Sequence, residues 1–449
     1  MHRCLTEYYR CPDDHLNFAL TGALSATTGY FRLGKETIGY GRYVGRQPAA
    51  DPAGLDWNAE RDIEFKGGTV CLPFDASEVI NNLRGEIYSD DWREKLPMSA
   101  LASIYYFLRP MLPVRVRKHM QEFYFRGWNE LRFPRWPVDC SVDDFLAQLL
   151  SLSLRARRVD RMPFIWFWPR GATGCAIMTH DVETQLGCDF CKALMDTDDS
   201  FGIKASFQVI PEQRYSVTAE FLSSIRDRGF EIVVHDLNHD GHLYKNRKQF
   251  LERAAKINSY AAAYGAEGFR AASLYRKQLW YDALNFSYDM SIPNVAHLDP
   301  QRGGCCTVMP YFVGNILELP VTTTQDYTLF NILDDCSIDL WKQQMDIIMG
   351  KHGLMSFIVH PDYIVKEQHR RTYEALLAHL VRMQKENGVW FATPGEVSRW
   401  WRQRAGMQLV SSTEGWHIEG PGSEQASVAY AVLDREQLKY EIDRVPAPA

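Results

Sequence analysis

Two apolar runs that each end in groups able to bind a metal constrain this 449-residue chain more than any other feature. The first, Ala176-Ile177-Met178-Thr179, ends in His180-Asp181-Val182-Glu183. The second, Phe230-Glu231-Ile232-Val233-Val234, ends in His235-Asp236-Leu237-Asn238-His239. Short continuous apolar runs are what strands buried on both faces look like. When such strands run parallel their C-terminal ends lie together, and polar residues just past those ends share one mouth. Here that mouth would collect two carboxylates and two imidazoles. Histidines four apart, on a helix or on a tight turn after a strand, can aim at one point, as a zinc, cobalt, nickel or iron ion requires. One carboxylate from the first run would complete three protein ligands and leave positions for water and substrate.

The surroundings suit that reading. Strand-like runs at 176–179, 205–210, 231–234, 268–270, 317–321, 355–359 and 389–392 alternate with helical stretches at 218–228, 248–264, 338–349 and 371–386. Such alternation predicts βα units around a parallel sheet. Seven strands predict an α/β chain with a distorted (β/α)7 barrel rather than the closed eightfold form. The barrel is expected over 161–403. Residues 1–160 are expected to be an N-terminal accessory region, β-rich where glycines break short strands and helical from about Ala76. Residues 404–449 alternate in four short runs and predict a small C-terminal β-meander.

Composition narrows the partners. With 46% hydrophobic and 24% charged residues and a net charge of −6, the chain is ordinary globular protein and offers no global attraction for nucleic acid. Its ten cysteines are irregularly spaced and include the adjacent pair Cys305-Cys306, which is no disulfide framework. Cys188 and Cys191 have metal-knuckle spacing but no second pair, and they are read as structural thiols. The first residues lack the apolar core of a secretion signal, and no run of about 18 uncharged apolar residues follows. A reducing, cytoplasmic location is expected. The stretch 105–118 mixes aromatic and basic residues; it reads either as a connector with its arginines in water or as a peripheral contact with the inner membrane face. Nothing in the sequence indicates an oligomeric state.

The motifs together resemble those of the polysaccharide deacetylase superfamily, the NodB-homology or carbohydrate esterase family 4 enzymes, whose fold is a distorted (β/α) barrel. Thr179-His180-Asp181-Val182-Glu183 is similar to that family's first motif, and His235 through His239 to its second. Gly268-Phe269-Arg270 is similar to its arginine motif, and Phe357-Ile358-Val359-His360 to its late histidine motif. The resemblance covers about half of the chain, from Phe164 to Trp401. It implies Asp181 as general base, His235, His239 and Glu183 as ligands of a divalent ion, zinc first, and His360 as general acid. It further implies that Arg270 pairs with Asp181, and that Asp289, in Tyr288-Asp289-Met290-Ser291, tunes His360. His180 is expected to point away from the centre and His242 to lie at the surface. Tyr244, Tyr275, Trp280 and Tyr281 read either as sugar-stacking rings or as packing.

The expected activity is metal-dependent removal of an N-acyl group, N-acetyl first, from an amino sugar in a glycan or lipid-linked precursor. Amide hydrolysis needs an activated water, a polarised carbonyl and an acid for the leaving nitrogen, and these residue types supply all three. No G-x-S-x-G elbow offers a serine nucleophile instead. Two alternatives are a metal-independent cyclic amide or ureide hydrolase of the same superfamily, and a catalytically weak carbohydrate-binding protein of polysaccharide assembly.

Overall fold

The computed structural model describes residues 3–55, 57–89, 125, 127–413, 415–435 and 437–443. The stretch 105–118, read as a connector or a membrane contact, lies outside the described residues. No helix among the described residues is long and apolar enough to cross a membrane.

The apolar runs become the strands of a curled sheet: β1 (Cys175–Val182), β2 (Ala205–Val209), β3 (Glu231–His235), β4 (Gly268–Arg270), β5 (Tyr288–Asp289), β6 (Tyr311–Val313), β7 (Ile316–Glu318), β8 (Leu354–Ile358) and β9 (Trp390–Phe391). Their order is β6-β7-β5-β4-β3-β2-β1-β8, and the seven from β7 to β8 are parallel. All eight residues of β1 and all five of β2 and of β8 are buried, which is why these segments carry no polar alternation.

Two strands depart from expectation. The run 389–392 does not take a place in the wall. Its strand β9 pairs with Cys175 and Ala176 at the start of β1, below the point where Met178 begins to pair with β2. The place in the wall goes to β5, whose two residues are too few to show any periodicity.

The sheet curls until the chain beyond β7 meets β8, and this seam is closed by side chains where a ladder would otherwise run. Thr322 Oγ1 donates to Leu354 O at 2.6 Å and accepts from Ser356 N at 2.9 Å, and Thr323 Oγ1 donates to Ser356 O at 2.7 Å.

Helices cover the outside. The helix Gln185–Ser200 starts immediately after Glu183 because the Thr184 side chain caps it, accepting from Gly187 N at 3.0 Å. On its inner side the helix Ser141–Arg157 buries Phe145, Leu146, Leu149 and Leu150. The same apolar cluster takes in Tyr9, Phe31 and Phe74 from the N-terminal part and Trp166, Trp400 and Met407 from later segments.

The C-terminal strand Val428–Asp434 pairs antiparallel with Arg161–Ile165 on one side and with Gln437–Ile442 on the other. Arg404, 1% exposed, ties these parts together by donating to the carbonyl oxygens of Ile165 at 2.7 Å and of Trp166 and Tyr8 at 2.9 Å.

Candidate metal centre

Parallel strands deliver the polar residues to one end of the sheet. Arg270, the last residue of β4, is in register with His235, the last of β3, and Asp181 sits one residue before the end of β1. After His235 the chain turns sharply, with Asp236 and His239 both in the left-handed region at φ of 55° and 57°. Non-glycine residues adopt that conformation only when their surroundings hold them there. The holding groups are visible. Asp236 N donates to Arg270 O at 2.8 Å. Arg214 donates to Asn238 O at 3.2 Å and to His239 O at 2.5 Å.

This turn, rather than a helix, brings the His239 ring back to 4.9 Å from that of His235. His235 Nδ1 faces Arg270 O at 3.0 Å, so it carries the proton and Nε2 presents its lone pair to the mouth. Glu183 Oε1 is 2.8 Å from His239 Nε2 and 3.7 Å from His235 Nε2. The shorter approach lacks hydrogen-bond alignment, and both Nε2 atoms are buried without a hydrogen-bond partner. Unpartnered buried nitrogens converging on a carboxylate are a costly arrangement unless a cation sits between them. A tetrahedral site with bonds of about 2.0–2.2 Å separates its ligand atoms by roughly 3.3–3.6 Å, between the 2.8 and 3.7 Å that part Glu183 Oε1 from the two imidazoles. The residues fit a divalent ion.

The flanking groups are differently bound. Arg270, fully buried, donates from Nη1 to Asp181 Oδ1 at 2.6 Å and to Thr179 Oγ1 at 2.8 Å, and from Nε to Met290 O at 3.0 Å. Burial alone would raise the Asp181 pKa. The Arg270 charge, with His235 and His360 behind it, outweighs burial and holds the carboxyl below its ordinary range.

His360 lies two residues beyond β8, with Nε2 3.5 Å from Glu183 Oε1. Its Nδ1 is 2.6 Å from Asp326 Oδ1, and its backbone N donates to Asp326 Oδ2 at 2.7 Å. Burial would lower the imidazole pKa, but the Asp326 carboxylate lifts it well above its usual value. Asp181, Glu183 and His360 also bring one ligand atom each within 4.8 Å of one another. In that second set, however, Asp181 is already matched by Arg270 and His360 by Asp326.

Solved structures resemble about half of the chain. A protein assigned as a polysaccharide deacetylase from Mycobacterium smegmatis superposes with a TM-score of 0.42 at 18% identity, over 53% of this chain and 93% of the other. An allantoinase gives 0.42 at 12% identity over 52% and 92%. A protein assigned as a polysaccharide deacetylase from Pseudomonas aeruginosa gives 0.41 at 13% identity over 52% and 93%. No family model matches the chain, and no curated protein matches its sequence.

The structure thus brings Asp181, Glu183, His235, His239, Arg270 and His360 to one mouth. It does not bring Asp289 to His360. Asp289 accepts from Ser291 Oγ at 2.6 Å and neighbours Glu318 across the β5–β7 ladder. Its side chain follows Phe269 in register, and Phe269 packs into the apolar layer under the helices, on the sheet face away from Arg270. Asp326, rather than Asp289, is the carboxylate against His360. The sequence signal for it is slight, a carboxylate eight positions beyond the end of β7.

His180 faces away from the mouth, fully buried, with Nδ1 3.1 Å from Val359 O and Nε2 2.9 Å from Asp198. His242 is exposed, and all ten cysteines are free thiols. Tyr244 stacks on Phe250 and Trp280 packs tilted against it, each at 5.2 Å, so these two rings pack, and Tyr281 is buried.

Proposed function

We propose that this chain is a metal-dependent hydrolase of a carbon–nitrogen amide bond, removing an N-acyl group, N-acetyl first, from an amino sugar of a glycan or lipid-linked precursor. The observation that carries the reading is the pair of buried, unpartnered imidazole nitrogens of His235 and His239 facing Glu183, with a carboxylate and a third imidazole on either side. A divalent ion held by Glu183, His235 and His239, zinc first, would lower the pKa of a water and polarise the acyl carbonyl.

The chain's own residues do the rest. Asp181, kept ionised by Arg270, takes the proton of the attacking water. His360, kept protonated by Asp326, gives a proton from Nε2 to the leaving nitrogen. Opposite displacement of the two pKa values keeps base and acid in their working forms over a wide pH range. Residues 1–160 and 404–449 act in this reading as accessory segments around a barrel over 161–403, in a cytoplasmic setting.

The test is metal analysis of the purified chain together with release of acetate from N-acetylated amino sugars. One equivalent of a divalent ion, lost together with activity in His235→Ala and His239→Ala, is the expected result. Full turnover in metal-stripped protein would sink the proposal and favour a metal-independent ureide hydrolase.

A further inference from the structure

Arg84 closes the helix Ala76–Arg84, and its side chain lies in a cavity of about 230 Å³. None of the residues of the metal centre lines that cavity. Its walls include Glu7, Asn81, Arg84, Gln278, Phe312 and Trp401. The Arg84 guanidinium lies 5.1 Å from the centre of the Tyr311 ring, and its Nε is buried with no hydrogen-bond partner. Among the described residues no carboxylate forms an ion pair with it. Asp143, whose carboxylate senses the Arg84 charge, is already taken up by Thr307 Oγ1 at 2.8 Å and Val308 N at 3.0 Å. Glu7, on the same wall, is paired with Arg3 at 2.7 Å. Buried donors left unpaired cost about 1–3 kcal/mol, more when charged, so the Arg84 side chain that lines the cavity keeps donor capacity the protein itself does not use.

We infer that this cavity is a second binding site, for a single anionic sugar ring whose carboxylate pairs with Arg84. A planar guanidinium with several donors matches a carboxylate two-pronged. The volume is below the roughly 300–1,000 Å³ of sites that enclose drug-sized ligands, which suits one ring rather than an oligomer. Phe312, 41% exposed at the cavity edge with the Arg402 guanidinium 5.4 Å from its ring centre, offers apolar ring surface to a sugar. Asn81 at the rim can meet ring hydroxyls with its amide. The Glu7 carboxylate accepts hydroxyl protons but repels a second anion, which places the ligand's charge at the Arg84 end.

The test uses the full chain stripped of metal, so that a carboxylate cannot be held at the metal centre. D-glucuronate, D-glucose and inorganic phosphate are titrated by ligand-observed NMR and calorimetry. Glucuronate should bind, with glucose and phosphate each weaker by about tenfold or more, equivalent to ~1.4 kcal/mol. Arg84→Gln, checked for folding by circular dichroism, should lose about tenfold or more for glucuronate. Phe312→Ala alters a surface ring and should weaken glucuronate while leaving phosphate unchanged; it carries the test should Arg84→Gln not fold. Absence of glucuronate binding, binding undiminished in either variant, or phosphate binding as tightly as glucuronate overturns the inference.

Discussion

Asp181 with Glu183 and Asp289 with Glu318 are two pairs of carboxylates in one sheet, and they ionise in opposite directions. Asp181 is 4% exposed and Asp289 1%, so burial does not separate them. Neighbouring charge does. Around the first pair stand Arg270, His235, His239 and His360, and both carboxyls fall below their ordinary range despite burial. Around the second stand the phenols of Tyr244 and Tyr281 and the hydroxyl of Ser291, and burial raises both carboxyls. Asp289 Oδ2 and Glu318 Oε2 have no hydrogen-bond partner among the described residues. Protonating them removes the buried negative charge that each would otherwise carry. Burial alone makes an acid that keeps its proton, whereas burial beside fixed cations makes a base or a ligand.

The comparison breaks most visibly at the cations. Removing Asp181 or His360 should cost about 10²–10⁴ in turnover, read as kcat on an N-acetylated amino sugar with Asp181→Asn and His360→Gln. Arg270→Met leaves the Asp181 charge buried without its partner and should lower stability by about 3–5 kcal/mol in urea unfolding. It should also move the acidic limb of the pH–rate profile upward, because the carboxyl loses the charge that held its pKa down.

Asp326→Asn works on the other limb. The carboxylate raises the His360 pKa, so its removal should bring the alkaline limb down and cut activity by roughly 10–100-fold, with metal content unchanged.

The smallest effect belongs to the second pair. Asp289→Asn keeps the shape and supplies an N–H toward Glu318. Because the folded-state pKa is raised, wild-type stability is fully present below the unfolded carboxyl pKa and falls as pH rises through the folded one. The variant should remove much of that loss, gaining on the order of 1 kcal/mol at pH 8 and little at pH 4. A flat difference between the two pH values would show that burial does not hold the Asp289 carboxyl above its ordinary range.

What the sequence displayed follows the same division. Asp181, Glu183, His235, His239, Arg270 and His360 all lie at the end of a strand or within four residues beyond it, and a strand buried on both faces announces itself as an apolar run. Asp326 was hidden because the chain just beyond β7 forms no ladder with β8 and is fastened to it by the side chains of Thr322 and Thr323. Asp289 misled because an acid after an aromatic on a two-residue strand looks the same whichever face it takes. Packing of the terminal segments was equally hidden: Arg404 binds only carbonyl oxygens in this bundle, and a carbonyl is common to every residue.

The threonine seam has a mechanical consequence. Elsewhere the wall is stitched by backbone ladders whose bonds must break together, but between Thr322 and Ser356 it is fastened by three side-chain links, each worth about 1 kcal/mol. Asp326 stands three residues past the last fastener and grips His360 by both its ring and its backbone. The weakest stitch in the wall therefore lies beside the Asp326–His360 pair. Loosening it would free Asp326 rather than His360, because the β8 ladder with β1 and the bond from Val359 N to Thr179 O at 3.0 Å keep that imidazole beside Asp181 and Glu183.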